Sequence, residues 1–401
     1  MNMFDKIKQF LSDIFCSFFS EARTIVRDEG VVLFMLFVPL FYPILYSWIY
    51  NNEVVREVPV AVVDASRSAL SREFVRRYDA SPDVKVAYFC NSIEEARRLV
   101  AKQEVNGIVY LPEDLSKRLN RMESATVSVY CDMSLMLAYK AIFTAATSVS
   151  SLMNANLQVA LAPGYTDHEN SITTQPLNYE EVAMFNSTGG YGNFILPGVL
   201  MLIIQQTLLL GTGLLYGSRR ERGFFITSST QPILKRRLPM LRIITGRTLC
   251  MLLIYAAVTA YVLLAIPKMF HFVQLLHPAD LVLFVLPYLL ACIFFAMTIG
   301  MLIPQREDVM LVVVFTSVGL LFLSGVSWPQ SNIPSFWRAF ACLFPSTFGI
   351  QGFVKLNTMG ALISDIVYEC RMLWIQALIY FCSLCGSFIV LVRKNIINFA
   401  A

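Results

Sequence analysis

Residues 192–216 read GNFILPGVLMLIIQQTLLLGTGLLY, a run without a single charged side chain. A helix needs about 20 apolar residues to cross the roughly 30 Å hydrocarbon core of a bilayer, so this run predicts a membrane-spanning helix. Five more segments that are almost free of charge lie near residues 31–50, 243–266, 279–303, 309–326 and 372–392. The sequence therefore predicts a polytopic α-helical membrane protein with six transmembrane helices.

The composition also indicates a membrane protein. Hydrophobic residues make up 56% of the chain and charged residues only 15%, whereas soluble domains carry about 25% charged residues. The longest polar stretch lies between the first two predicted spans and is long enough for one small soluble domain. We predict four regions: a cytoplasmic amphipathic interfacial helix at 1–30, the first transmembrane helix at 31–50, an inserted domain at 51–190 and a five-helix transmembrane region at 191–401.

The distribution of basic residues predicts the orientation. The connection after the second predicted span is rich in them: Arg219, Arg220, Arg222, Lys235, Arg236, Arg237 and Arg242. Positively charged connections stay on the cytoplasmic side, so we expect segment 217–242 to be cytoplasmic. Six spans then place both termini in the cytoplasm and the inserted domain, 51–190, outside.

The inserted stretch alternates strand and helix signals. Strands are predicted at 58–63, 85–89, 107–111 and 126–130, with helices between them and a long helix from about Ser134 to Ala162. Such alternation is typical of an α/β domain with a largely parallel sheet. Cys90 and Cys131 lie in this domain, and we favour two small buried thiols over a disulfide between them.

The N-terminal segment has a helical apolar period. Apolar residues recur every three or four positions from Phe4 to Phe19, and Asp5, Lys6, Lys8 and Asp13 fall on the other face. This pattern predicts an interfacial helix along the inner leaflet. A helix packed on the remaining bundle would use the same apolar face, and both interpretations stay open.

Motifs for catalysis or cofactor binding are missing from the sequence. It contains no G-x-x-x-x-G-K-[ST] phosphate loop. Of its three histidines, His271 and His277 lie six positions apart without a carboxylate or cysteine at metal-ligand spacing, so we favour surface histidines over a metal site. We also expect no charge within the spans, which argues against a proton- or sodium-driven carrier. Gln205 and Gln206 are the main polar pair at membrane depth, and they predict either hydrogen bonds between helices or a substrate contact. We expect no catalytic residue, cofactor or metal.

Three patches carry a family resemblance. The first is Glu21 to Asp28, EARTIVRD, which leads into a span with Pro39 and Pro43; the second is Arg220-Glu221-Arg222-Gly223. The third is LSGVSWP at 323–329, followed by Asn332-Ile333-Pro334, Trp337 and Phe344-Pro345-Ser346-Thr347. Together they resemble type-2 ATP-binding-cassette (ABC) exporter permeases, in the branch with a large extracytoplasmic domain after the first transmembrane helix.

The resemblance implies partners and a location. It implies a second permease, as a homodimer or a heterodimer, and a separate cytoplasmic ATPase subunit that hydrolyses ATP to drive export. Substrates in this branch are drug-like molecules, lipids or other amphiphiles, often passed to a periplasmic adaptor and an outer-membrane channel. The implied location is the bacterial inner membrane, in contact with lipid and without nucleic acid.

The resemblance also implies a coupling element. Arg220, Glu221, Arg222 and Gly223 would contact the ATPase at the inner end of the second span, where a short rigid helix can transmit a partner's movement. The other interpretation is simple positive-inside anchoring with one compensating acid.

An outer gate is the second implied site. Prolines interrupt the segment 324–346, which is too broken to span a bilayer and predicts a re-entrant helical hairpin. The gate residues are Ser324, Gly325, Trp328, Pro329, Pro334, Trp337 and Pro345. The other interpretation is an ordinary outer loop packed on the bundle.

A function of a different class also fits parts of the sequence. The alternative is a non-transporting receptor or assembly scaffold, with an outer α/β domain that binds a ligand. Five clustered spans with broken outer helices are more than an anchor needs, so we favour export.

Overall fold

The chain forms two compact units. A computed structural model describes residues 3–51, 54–121, 123–161, 166, 169, 185–186, 190–221, 231–234, 236 and 238–400. One unit combines Met1–Glu53 with Ala183–Ala401, and the other is Val54–Val182. In its described part the first unit has helices and connecting loops, and the second unit contains a small sheet.

Helix α1 covers Met3–Arg27 and packs against a later helix that contains Gly246. Ile14 and Ser17 are buried and lie beside Gly246, which confirms the interpretation of a helix packed on the bundle. Its other face exposes apolar side chains, Ile7, Leu11, Phe15 and Phe19. The placement of Asp13 on the exposed polar face is wrong, because this side chain is buried between two arginines.

Helix α2 covers Glu29–Tyr50 and is the first helix long and apolar enough to cross a membrane. Asp28 caps its start, because the carboxylate accepts a hydrogen bond from the Val31 amide at 3.3 Å. A π-helical turn, Leu33–Phe37, precedes Pro39. Proline lacks an amide hydrogen, so the wider turn falls where the regular hydrogen-bond ladder is interrupted.

The inserted unit is an α/β fold. Its strands are β1 (Val58–Asp64), β2 (Val84–Phe89), β3 (Gly107–Leu111) and β4 (Ser128–Cys131), in the order β2-β1-β3-β4. β1 is parallel to β2 and β3, whereas β4 is antiparallel to β3, so the largely parallel sheet is confirmed. The helices are α3 (Ala69–Asp79), α4 (Ile93–Ala101), α5 (Leu115–Asn120) and α6 (Met136–Leu161).

Two separate apolar clusters cover this sheet. One contains Val60 and Val62 of β1 with Tyr78 of α3 and Ile142 of α6. Ala61 and Val63 of β1 point into the other cluster, with Ala96 of α4, as expected from the alternation of side chains along a strand. Cys90 packs in the second cluster and Cys131 against the first, and both are free thiols. Residues 165–190, for which the sequence predicts a loop after the long helix, lie almost entirely outside the described residues.

The remaining helices belong to the membrane unit. They are α7 (Tyr191–Glu221), α8 (Pro239–Met269), α9 (Pro278–Leu302), α10 (Asp308–Leu323), α11 (Ser335–Ala341), α12 (Pro345–Met359) and α13 (Val367–Ala400), besides a four-residue helix at Gln231–Leu234. α7 is the central helix, with every residue from Ile195 to Arg219 buried. Helices α2, α8, α9, α10 and α12 pack against it, and α13 packs against α9 and α12.

The described chain has five long candidate spans, or up to six if one bent pair of helices counts as a span, which agrees with the predicted number although not with the predicted fifth span. In the described chain, five helices are long and apolar enough to cross a membrane: α2, α7, α8, α9 and the part Val367–Val390 of α13. The predicted fifth span, 309–326, is the 16-residue helix α10, roughly 24 Å long at 1.5 Å per residue. It ends before Gly325, whose φ of 92° only glycine adopts readily. α11 and α12 follow as a pair bent by 91°.

Candidate coupling and gating sites

A buried ionic cluster joins α1 to the end of α7. Arg219 of α7 donates a hydrogen bond to the Glu21 carboxylate of α1, and the Arg247 Nε of α8 lies 3.4 Å from the same oxygen. The Tyr216 ring lies beneath both guanidinium groups, 5.4 and 5.7 Å from its centroid. The side chains of Glu21, Arg219 and Arg247 are only 2, 6 and 2% exposed.

Glu21 is ionised in this cluster. Burial alone would raise the pKa of its carboxyl, but the adjacent Arg219 and Arg247 outweigh that effect and lower the pKa below its ordinary value. The cluster thus combines one carboxylate with two guanidinium groups. We call Glu21, Tyr216, Arg219 and Arg247 the α1–α7 cluster.

A second ionic contact ties the first half of α1 to the start of α8. The Asp13 carboxylate accepts hydrogen bonds from Arg236 and Arg242, one on each oxygen. The Arg242 guanidinium also lies over the Phe10 ring, 5.0 Å from the centroid. Both acids on the buried side of α1, Asp13 and Glu21, are therefore paired with arginines of α7, of α8 or of the segment between them.

Arg220 and Glu221, two of the four predicted coupling residues, lie beside a third ionic contact. Arg306, in the loop between α9 and α10, contacts Asp28 at 2.9 Å and Ser218 at 2.9 Å. The Arg306 backbone amide donates to Glu221 at 3.3 Å, and Arg220 donates to the Ile303 carbonyl at 3.1 Å. Arg220 and Glu221 thus hold this loop at the end of α7.

The other two predicted coupling residues, Arg222 and Gly223, lie outside the described residues. The structure therefore brings Arg220 and Glu221 together but says nothing of the rest of the motif.

The expectation that the spans hold no charge is wrong at Arg247. This residue lies within the predicted span 243–266, near the third turn of α8. It is accommodated because Glu21 and Tyr216 face it in the α1–α7 cluster. A lone arginine in an apolar run predicts a buried acidic partner, and that signal was present in the sequence.

The predicted gate residues lie in the segment of the chain that runs from the end of α10 to the start of α12. Ser324 ends α10, Gly325 turns the chain, and Pro329 precedes a 3-10 turn at Gln330–Asn332. Pro334 and Pro345 open the two arms, α11 and α12. Trp328 and Trp337 are 55 and 49% exposed on the surface of this unit. The second arm continues to Met359, well past the predicted end of the hairpin at 346.

The bend between α11 and α12, residues 342–346, which we call the elbow, is hydrogen-bonded to two other helices. Gln205 of α7 accepts a hydrogen bond from the Ser346 amide at 2.6 Å. From α13, Gln376 donates to the Cys342 carbonyl at 2.7 Å and the Tyr380 hydroxyl donates to the Leu343 carbonyl. Backbone groups at a break in a membrane helix need such internal partners. Sequence reasoning missed Gln376 and Tyr380, although polar side chains in an apolar span are a signal for such contacts.

Gln205 and Gln206 point to different neighbours. Gln206 donates to the Thr316 hydroxyl of α10 at 3.4 Å, whereas Gln205 contacts the elbow. Both are buried, at 1 and 7% exposure. The interpretation as hydrogen bonds between helices is therefore the one that the contacts support.

Comparison with known proteins identifies the family. A family model described as "ABC-2 family transporter protein" matches residues 30–384. The chain is similar to the "Probable multidrug ABC transporter permease YbhR" of Escherichia coli strain K12 and to its counterpart in strain O157:H7. Each is 21% identical over 319 residues, which is 78% of this chain and 81% of the relative. No solved structure matches. Since the family model covers far more than half of the chain, the protein belongs to the ABC-2 transporter family of membrane permeases.

Proposed function

We propose that the protein is the membrane-spanning permease subunit of an ATP-driven exporter. Its substrate would be a drug-like, lipid or other amphiphilic molecule, moved out of the cytoplasm or the inner leaflet. Family membership implies an ABC ATPase partner and a second permease. The sequence has no phosphate loop, which fits ATP hydrolysis on a separate subunit. The relatives' description as multidrug permeases supports the substrate class.

The observation that carries this proposal is the set of ionic contacts around the end of α7. A helix that only anchors a protein does not need buried carboxylates, and burying ionic groups is costly unless they are paired. Here Asp13, Glu21 and Asp28 each pair with arginines from other elements. These contacts make α1 and the end of α7 move together, as transmission of an ATPase movement requires.

The proposed orientation places the ionic contacts in the cytoplasm and the inserted α/β unit outside. We propose both termini inside, the bacterial inner membrane as the location, and the branch with an extracytoplasmic domain. A periplasmic adaptor and an outer-membrane channel would be further partners. On this orientation the exposed apolar face of α1 lies against the inner leaflet.

Labelling with a membrane-impermeant thiol reagent tests this orientation. In a background whose native cysteines are replaced, we expect Asn170→Cys to be modified from outside and Ser229→Cys to be protected. After permeabilisation both positions should react. The reverse pattern would overturn the orientation and, with it, the direction of export.

Co-purification tests the function itself. The chain should purify with a co-expressed ABC ATPase, and amphiphilic substrates should stimulate ATP hydrolysis by the complex. The alternative, a receptor or scaffold with an outer ligand-binding domain, predicts neither result. A complex without substrate-stimulated hydrolysis would favour that alternative.

Coupling through the end of α7 is proposed for Arg220, Glu221, Arg222 and Gly223. Glu221→Lys should leave expression and insertion intact but reduce substrate-stimulated hydrolysis severalfold. It adds a fourth cation to Arg219, Arg220 and Arg222, and it removes the carboxylate that accepts a hydrogen bond from the Arg306 amide. Exposed ion pairs contribute only about 0 to 1 kcal/mol, so Glu221→Gln is the matched control and should have a small effect. Normal stimulated hydrolysis by Glu221→Lys would contradict the assignment.

The bent pair is the proposed outer gate. Ser324, Gly325, Trp328, Pro329, Pro334, Trp337 and Pro345 would shape the closure of the pathway. Support comes from the turn at Gly325 and from the 91° bend between α11 and α12. The free backbone groups at the break form hydrogen bonds with the neighbouring spans. Non-helical backbone at membrane depth requires such partners.

A further inference from the structure

The first turn of α12 lacks a cap from its own sequence. Phe344 stands at the N-cap position and provides no side-chain hydrogen bond. Pro345 has no amide hydrogen, and the Thr347 amide bonds the Phe344 carbonyl at 3.1 Å. The Ser346 amide is left, and it donates to Gln205 of α7. Gln205 therefore caps α12 from another helix.

Both residues of this cap are buried. Gln205 and Ser346 are each 1% exposed. Gln205 is the fifteenth residue of the 31-residue helix α7, so the elbow is level with the middle of that helix. No water replaces a lost partner inside an apolar bundle, and an unpaired amide there is costly.

One further side chain contacts the capping oxygen, and a second ties the same two helices together. The Cys292 thiol of α9 lies 3.9 Å from the same Gln205 oxygen. The Tyr288 hydroxyl, one turn away on α9, donates to the Met201 carbonyl of α7 at 2.6 Å. The Gln205 side chain of α7 is thus in contact with α9, while the Cys342 and Leu343 carbonyls of the elbow accept hydrogen bonds from α13.

We propose that Gln205 is a positioning residue that latches the elbow to α7 and keeps the bent pair closed. Any movement of α12 away from α7 must break the Gln205–Ser346 hydrogen bond. Arg219 lies 14 residues further along the same helix, about 21 Å at 1.5 Å per residue. The α1–α7 cluster and the latch therefore act on one continuous helix. The assignment of the latch to a transport gate rests on the proposed function, but the latch itself does not.

A thiol at the elbow reports whether the latch is closed. Ser346→Cys keeps the backbone amide and places a buried thiol beside Gln205. Open membranes carrying this variant are treated with N-ethylmaleimide, and modification of residue 346 is followed by peptide mass spectrometry. The native Cys250, buried in α8, is read in the same sample as a control for the intact fold.

Three substitutions at the neighbouring residues Gln205 and Gln206 distinguish loss of the Gln205–Ser346 hydrogen bond from a general loosening of the helix packing. Gln205→Met removes the acceptor at similar size, and we expect labelling of residue 346 to become about tenfold faster, equivalent to about 1.4 kcal/mol. Gln206→Met removes a bond to α10 instead and should leave the rate near that of the parent. Gln205→Glu should also stay near the parent rate, because a buried carboxyl group is protonated and retains a carbonyl acceptor.

The outcomes are distinct. Faster labelling in Gln205→Met alone, with Cys250 unchanged, supports the latch. An unchanged rate in Gln205→Met, or an equal acceleration in Gln206→Met, overturns it. If Cys250 becomes exposed as well, labelling of residue 346 is measured with Gln205→Asn, which keeps the amide on a shorter side chain. A labelling rate equal to that of the parent would then overturn the latch. A rate between those of the parent and Gln205→Met would support it. No ATPase or substrate is present, so this result is independent of whether the chain exports.

Discussion

Glu21→Gln should lower the free energy of unfolding by about 3 to 5 kcal/mol, since removing one partner of a buried ion pair leaves the other charge uncompensated. In the α1–α7 cluster, Glu21 is the carboxylate between Arg219 and Arg247, and all three side chains are almost fully buried. The substitution keeps the shape of the side chain but leaves two adjacent guanidinium groups. Thermal unfolding in detergent, followed by thiol exposure, measures the loss.

The matched control is Glu29→Gln, the same change at an exposed position at the start of α2. It should change stability by no more than about 0.5 kcal/mol. The double variant Glu21→Gln with Arg219→Gln restores the net charge of the cluster to its original value, so it should be more stable than the single Glu21→Gln variant. Equal stability of Glu21→Gln and Glu29→Gln would contradict the role of the cluster.

The effect should also depend on pH. The pKa of Glu21 is lowered in the folded protein from its ordinary value of 4.5. A carboxyl with a lowered pKa stabilises the fold fully above the unfolded value, and this contribution is lost as the pH falls through the folded value. The difference in stability between the parent and Glu21→Gln should therefore be constant at neutral pH and shrink below about pH 4.5.

The apolar runs were sufficient to predict most of the helical architecture, because the length of a run reports directly on whether it can cross a bilayer. The α/β pattern of the inserted unit was predicted for the same kind of reason, since short β-rich runs alternated with capped helices. The exception is α10, whose apolar run continues into Ser324 and Gly325. Hydropathy does not register that Gly325 turns the chain.

The ionic contacts were harder to predict, because their partners lie far apart in sequence. Asp13 and Arg242 are 229 positions apart, and Glu21 and Arg219 are 198 apart. The helical period of α1 placed Asp13 on a polar face, and only the fold shows that this face meets arginines. The same holds for the elbow, where Gln205 was identified as polar at membrane depth but its partner Ser346 was not.

A second large effect is expected at Gly246, where α1 crosses α8. A Cβ atom on Gly246 would lie 2.5 Å from the Ser17 Cβ and 2.6 Å from the Ile14 carbonyl oxygen. Both belong to α1, and a backbone atom cannot yield unless the helix moves. Overpacking costs about 1 to 3 kcal/mol. We expect Gly246→Ala to lower the free energy of unfolding towards the upper end of this range, because displacing α1 also strains the Asp13 and Glu21 ion pairs.

Gly319→Ala is the matched control, because it makes the same substitution inside α10, where nothing lies within 4 Å of the added Cβ. Alanine favours a helix interior over glycine by roughly 0.5 to 1 kcal/mol, so this variant should be as stable as the parent or more so. The two alanines share the same gain in helix propensity, and they differ in whether a neighbouring helix occupies the space. Unfolding in detergent should therefore shift in opposite directions. Stability of Gly246→Ala equal to that of Gly319→Ala would mean that α1 is not packed against α8 at this point, and the ionic contacts of Asp13 and Glu21 would lose their structural basis.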